Sequence, residues 1–294
     1  MKTKNIFKTI ASAALSLVAI ASCEPYCDPL ENEQYVKEVY LVGAAQDIFE
    51  RELSYSGDGS IYISAAVSGT TLPDQDITVT VGTAGDAKMS LYNYKNFGEN
   101  DVKYQAMPVS WYTFPSTTGV IRAGEVYCRI PFTIDVAKLH ADSLYVIPLR
   151  IVSVSAYTAV TTDTTLLFHP KMVNDYSGTY QFEGVTCQVK DGDAVTTSAQ
   201  TMTTTRNATA INANTVRLFQ KTVVEKTANV ADNAYNITVN GDNSLTVKPY
   251  DKLALTDGGG TYDPSSKTFS FWYDYKEGKK QYRVKATLTP PKNE

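Results

Sequence analysis

The sequence predicts an all-β protein, a β-sandwich followed by an antiparallel β-barrel. Three observations carry this. Apolar residues recur with period two in run after run, the signature of a strand with one buried face. Tyrosine is abundant at 20 residues, and threonine is common with it; aromatic and β-branched side chains fit the pleated surface of a sheet. Clusters of Gly, Pro, Asp and Ser punctuate the runs at short intervals, as turns between short strands do. No amphipathic helix, coiled-coil heptad or internal repeat stands out.

The N-terminus is read as an address. Lys2, Lys4 and Lys8 precede an apolar stretch from Ile10 to Ala21, and Ile20-Ala21-Ser22-Cys23 closes it. This is the layout of an export signal, too short for a stable membrane-spanning helix, which needs about 20 residues. The ending in small residues and then Cys resembles the lipobox of bacterial lipoproteins. By that resemblance residues 1–22 are a signal peptide cut before Cys23, and Cys23 carries lipid. Residues 23–36, acidic and Pro-containing, read as a tether. Loss of Lys2, Lys4 and Lys8 takes the formal charge from −4 to −7. Such a balance argues against nucleic acid and against electrostatic binding to anionic lipid; the lipid would supply the membrane contact.

The first domain is placed at residues 37–170. Val39 and Leu41, then Ile61, Ile63, Ala65 and Val67, then Ile77, Val79 and Val81 each share a strand face. Val126, Cys128, Ile130, Phe132 and Ile134 form the clearest alternating run, with Cys128 toward a core. Tyr145, Ile147, Leu149 and Ile151 form another, and Leu166 to Phe168 closes the set. Val136–His140 fits one helical turn. Short strands with regular turns read as a sandwich.

His169-Pro170-Lys171-Met172-Val173-Asn174-Asp175 breaks the pattern and marks the boundary, so the second domain is placed at residues 175–294. Its strands are expected near 178–189, 215–224, 234–240, 244–250, 268–275 and 280–289, with a four-residue hairpin loop at Asn240-Gly241-Asp242-Asn243. Consecutive hairpins suggest a meander that closes as a barrel. Residues 191–214, rich in Thr, Ala, Asn and Ser, read as a long loop or irregular edge.

These phrases have a familiar order. Met89-Ser90-Leu91-Tyr92-Asn93, then Gly119-Val120-Ile121-Arg122-Ala123-Gly124-Glu125, then a strand ending Ile134-Asp135 and Tyr145-Val146-Ile147-Pro148-Leu149-Arg150-Ile151 resemble an N-terminal domain of Bacteroidota surface lipoproteins. That resemblance implies an immunoglobulin-like sandwich, of a type also found ahead of some family 18 endoglycosidase barrels. Tyr176-Ser177-Gly178-Thr179-Tyr180 and Phe269-Ser270-Phe271-Trp272-Tyr273-Asp274-Tyr275 resemble the lipocalin-like C-terminal domain of the same proteins. Together the resemblances cover about residues 37–290. They imply a protein of a glycan-utilisation locus, anchored at the outer membrane. Glu24 and Asp28 are acidic, as in lipoproteins sent to the cell surface; a periplasm-facing anchor stays open.

Catalytic arrangements are not evident. The family 18 run Asp-x-x-Asp-x-Asp-x-Glu is absent, as are Gly-x-Ser-x-Gly and the alternating helices of a (β/α)₈ barrel. Asp257-Gly258-Gly259-Gly260-Thr261 lacks the Lys and helix of a phosphate loop and reads as a turn. With two histidines, His140 and His169, and no CxxC, a zinc site is not expected, and no other metal or cofactor is implied. Cys27, Cys128 and Cys187 allow one disulfide without choosing a pair. Asp142-Ser143-Leu144 and Asp163-Thr164-Thr165 resemble the Bacteroidota O-glycosylation triplet.

The aromatic residues give the binding candidates. The C–H face of a sugar packs on a flat ring, and its hydroxyls need polar groups beside it. Alternation puts Phe269, Phe271, Tyr273 and Tyr275 on one face, read as core, and Ser270, Trp272 and Asp274 on the other. Trp272 with Asp274 is therefore the first candidate. Trp111 and Tyr112, in a stretch bounded by Pro108 and Pro115, are the second. The function expected is non-covalent glycan capture for uptake, beside an outer-membrane transporter or glycosidase, with no enzymatic activity. The alternatives are a scaffold that docks a protein partner and a hydrolase using an unrecognised carboxylate pair.

Overall fold

The computed structural model describes residues 32–291. Cys23, Cys27, the signal peptide and most of the tether lie outside the described residues. The chain is almost entirely β, as its alternation predicts.

The N-terminal half contains β1 (Glu38–Leu41), β2 (Phe49–Ser54), β3 (Ser60–Val67), β4 (Ile77–Thr83), β5 (Tyr104–Ala106) and β6 (Tyr112–Thr113). It continues with β7 (Thr118–Ile121), β8 (Tyr127–Ile134), β9 (Leu144–Val154), β10 (Thr158–Ala159) and β11 (Thr165–Val173). One sheet runs β10-β1-β3-β8-β6; the facing sheet runs β2-β11-β9-β4-β7, with β5 added beside β9. Between them lies an apolar core that includes Ile63, Ile130 and Phe132 from the first sheet and Ile77, Ile147 and Phe168 from the second. Strand β8 alternates exposed and buried along its whole length, so Cys128 faces the core as expected. Val126 falls outside that strand and is exposed.

A ten-residue helix that the sequence pattern does not announce lies on this half. The segment Ala87–Asn96, α1, sets Met89 against Val146 and Leu167 on the outer face of the second sheet. Lys88 pins it there: its ammonium donates to the carbonyls of Ala44, Gln46 and Thr165 at 2.6, 2.7 and 3.1 Å. Asn93 and the backbone of Tyr104 exchange two hydrogen bonds of 2.8 and 3.0 Å. The phrase Met89–Asn93 is thus a docking helix, held by few apolar contacts and many polar ones, which is why it lacks amphipathic periodicity. Val136–Lys138 forms the expected single turn, as a 3₁₀ helix.

The expected break between the halves is also strand. His169–Val173 does not break the strand pattern; it continues β11 and pairs in parallel with β2 from Phe49 to Ser54. The link to the second half is shorter, and Asn174 organises it: its side chain donates to the carbonyls of Asn212 and Thr215 at 2.6 and 3.0 Å.

The C-terminal half is a closed barrel of eight strands, each antiparallel to its neighbours. They are β12 (Gly178–Lys190), β13 (Asp193–Asn212), β14 (Thr215–Phe219), β15 (Ala234–Val239), β16 (Ser244–Pro249), β17 (Leu255–Asp263), β18 (Thr268–Glu277) and β19 (Lys280–Thr289). A short helix, α2 (Val230–Asn233), lies between β14 and β15. Residues 191–214 are not a loop: they hold β13, a strand of 20 residues. Its Thr-rich stretch pairs with β12, but only Thr209, Ala210 and Asn212 pair with β14. With one edge mostly unpaired, β13 has little apolar alternation to read.

Asp257–Thr261 is likewise strand and not turn. A Cβ on Gly260 would lie 2.2 Å from the Ser270 carbonyl oxygen, and one on Gly258 2.9 Å from the Val247 Cβ. The glycines make room for the neighbouring strand, whose Phe269, Phe271, Tyr273 and Tyr275 all point inward and are buried. Tyr235 packs against Tyr273, with ring centroids 4.9 Å apart and planes tilted by 38°. The barrel is therefore filled by an aromatic column over most of its length.

Candidate functional site

Inward alternation of the aromatic strand forces Ser270, Trp272 and Asp274 outward. Register then sets their neighbours. Trp272 lies beside Lys285 on β19, Lys285 beside Val185 on β12, and Val185 beside Thr201 on β13. The next outward row is Ser270, Thr287, Glu183 and Thr203. Between the rows the residues point inward, and two of them, Gly184 and Ala286, are small. The result is a shallow trough of ≈ 650 Å³ on the barrel wall, running across four strands. At a strand spacing of about 4.8 Å it spans about 14 Å from Trp272 to Thr201.

Trp272 closes one end. Its indole is partly exposed, and Gly259, opposite it on β17, has no side chain to cover it. The Arg283 guanidinium lies 4.9 Å from the Trp272 ring. Asp274 holds that guanidinium with two bonds, 2.7 Å from Nε and 2.8 Å from an NH₂; the bonding keeps Arg283 charged, its pKa raised above the ordinary value. Gln281 also donates to Asp274, at 3.3 Å. Asp274 is only 4% exposed, and its carboxylate is committed to Arg283. It therefore positions Arg283 and is not itself placed to touch a ligand.

Trp111 and Tyr112 lie elsewhere, at the edge of the sandwich. Trp111 is partly buried against the core, edge-on to Tyr145 at 5.1 Å. Tyr112 is also packed on that core, edge-on to Phe114 at 6.1 Å, and burial raises its pKa. Neither lines the trough at Trp272. The two candidate pairs thus form separate features, and charged groups stand beside the Trp272 pair.

Arg283, Lys285, Glu183 and the threonines of β13 were not singled out from sequence. The tight β18–β19 turn at Gly278, with φ 59°, was the available signal; counting back from it pairs Arg283 with Asp274 and Lys285 with Trp272. Nothing comparable announces β13.

The remaining residues of chemical interest have structural settings. His169 Nδ1 is 2.7 Å from the Tyr145 carbonyl oxygen. Asp142 forms an ion pair with Arg217 and accepts a hydrogen bond from the Tyr250 hydroxyl, joining the two halves. Its neighbour Ser143 is partly buried, whereas Thr164 is exposed. Cys128 and Cys187 are both free thiols, one in each half. Among the described residues no group of His, Cys, Asp and Glu is arranged to hold a metal, and no helix is long and apolar enough to cross a membrane.

Comparison with known proteins follows this division. A family model for an N-terminal domain matches residues 32–158, and a model for a C-terminal domain matches residues 164–289. Each half thus resembles a domain family of its own. Solved structures share the whole two-domain fold. A protein of unknown function from Bacteroides ovatus is 19% identical, with a TM-score of 0.64 and coverage of 86% of this chain and 94% of that one. A multidomain protein including DUF1735, also from Bacteroides ovatus, is 19% identical, with a TM-score of 0.61 and coverage of 87% and 94%. An auxiliary nutrient binding protein from Bacteroides thetaiotaomicron is 17% identical, with a TM-score of 0.60 and coverage of 91% and 94%. At these identities the likeness is one of fold. No curated protein matches the chain.

Proposed function

We propose that this chain is a lipid-anchored surface lipoprotein of the outer membrane that binds glycans non-covalently, for capture and uptake, and that it is not an enzyme. The observation that carries the reading is Trp272, a partly exposed indole at the end of a trough edged by hydroxyls and by both charge signs. An aromatic platform with a few polar groups ranged beside it is a chemically suitable seat for a sugar chain. The auxiliary nutrient binding protein of the same fold lends support, as do the lipobox at Cys23 and the acidic tether. The anchor would hold the barrel near an outer-membrane transporter or glycosidase able to take the glycan onward.

Affinity electrophoresis of residues 23–294 against host and plant glycans tests the reading. Retardation by at least one glycan, lost in Trp272→Ala, is expected. No retardation by any of them would overturn it.

A further inference from the structure

The barrel is filled along most of its length, but one end is open. There, beyond Tyr273, the aromatic column finishes in Tyr275 and Tyr282, stacked at 5.5 Å with their planes 19° apart. The Lys221 ammonium lies 4.2 Å from the Tyr275 ring and pairs with Glu277 at 2.7 Å. Gln188, Gln200 and Thr222 complete a polar rim around a cavity of ≈ 690 Å³. The cavity is reached through a gap in the barrel wall. β14 ends at Phe219, and the free edge of β13 above Asn207 faces the loop that follows it. Arg206 fastens that loop by donating to the carbonyl of Lys221 and pairing with Glu225 at 3.2 Å, so the gap has a defined lower limit.

This mouth and the outer trough meet. Both are lined by Thr201, Met202 and Thr203 of β13. A chain lying along the trough from Trp272 crosses β19, β12 and β13, and then reaches the unpaired edge of β13 with the mouth beyond it. Charge is balanced in both places: Lys285 and Glu183 in the trough, Lys221 and Glu277 at the mouth. The mouth otherwise presents amides, hydroxyls and stacked rings, and the buried Thr186 hydroxyl beneath it has no partner among the described residues. A neutral polyhydroxylated group satisfies such a site; a carboxylate or sulfate would meet Glu277 without a free cation to answer it, because Lys221 is already paired.

We infer that the barrel mouth is an end subsite that takes the terminal residue of a neutral glycan chain whose following residues lie in the trough. This rests on the glycan-binding reading above and adds that the ligand is an oligosaccharide recognised by its end.

The test is calorimetry on residues 23–294 with neutral cello-, manno-, xylo- and malto-oligosaccharides of increasing length, and with an oligogalacturonate as the anionic probe. The expected result is affinity that rises with chain length in one neutral series. Tyr282→Ala should weaken the longer chains at least tenfold, and Glu277→Ala, a change at an exposed side chain that leaves folding intact, severalfold. Trp272→Ala should weaken them independently. If Trp272→Ala abolishes binding while Tyr282→Ala and Glu277→Ala leave every affinity unchanged, the end subsite is wrong and the trough alone binds. Preference for the oligogalacturonate would also overturn the inference while leaving glycan binding intact. If the wild-type chain binds none of these probes but does bind another glycan, the neutral-chain inference fails alone. If it binds no glycan, the proposed function falls with it.

Discussion

Arg283 lies against Trp272, with its guanidinium 4.9 Å from the ring, and Asp274 holds it there by two hydrogen bonds of 2.7 and 2.8 Å. The two aligned bonds fix the plane of the guanidinium, and the guanidinium steadies the indole; a cation over an aromatic face contributes about 0.5–1 kcal/mol at exposed sites. Asp274→Asn should keep the fold and weaken glycan binding a few-fold, since it loosens Arg283 without removing a ligand contact. Calorimetry of that variant, with the wild type as reference, checks this.

Removing the other partner is expected to act on stability. Arg283→Ala leaves the Asp274 carboxylate buried with only Gln281 to answer it. A buried carboxylate stripped of its ion-pair partner costs about 3–5 kcal/mol, so urea denaturation should show a loss approaching that range. A loss near zero would mean that Asp274 is better hydrated than its 4% exposure indicates.

The barrel core carries a sharper expectation. The hydroxyl of Tyr235 is buried without a hydrogen-bond partner among the described residues. Tyr235→Phe should therefore be neutral, or stabilise by about 1 kcal/mol, because it deletes an unpaired polar atom and keeps the ring. Gly260→Ala should do the reverse, by several kcal/mol or by loss of folding, since its new methyl would meet backbone at 2.2 Å.

Alkali should unfold the protein for the same reason. Burial pushes Tyr104 in the sandwich and Tyr180 in the barrel up to about 12, and Tyr235 and Tyr273 also upward. An unfolded tyrosine ionises near 10. Below about pH 10 the native and unfolded states bind the same protons at these groups. Between about pH 10 and 12 the unfolded state gives them up first, so stability falls as pH rises. Tyrosinate absorbance and circular dichroism followed together should show late ionisation coinciding with unfolding.

How far these features could be read from sequence depended on whether a strand buries one face. β8 and β18 each have a continuous apolar face, and their burial and the outward placing of Trp272 follow from alternation alone. β13 and β17 do not. β13 lacks a partner along most of one edge, so selection for alternating apolar residues is weak, and its threonines resemble a loop. β17 gives up side chains at Gly258 and Gly260 because its neighbour fills the space with Phe271 and Tyr273, and glycine in sequence signals a turn. α1 is fastened by Lys88 and Asn93 more than by an apolar stripe. Half of the trough comes from β12 and β13 and the cavity beside it from the free edge of β13, so the candidate site was legible only on its Trp272 side.

The anchor has its own test. Growth with labelled palmitate in a lipoprotein-processing host should label the wild-type chain and leave Cys23→Ser unlabelled. Label retained in Cys23→Ser would remove the lipobox reading.

The central claim is that the trough at Trp272 holds a glycan. The most direct measurement is isothermal titration calorimetry of residues 23–294 with the glycan that retards it most in electrophoresis, for wild type and Trp272→Ala. The expected result is saturable one-site binding for the wild type and at least a tenfold loss, about 1.4 kcal/mol, for Trp272→Ala with its melting temperature unchanged. Equal affinity in the two proteins would contradict it.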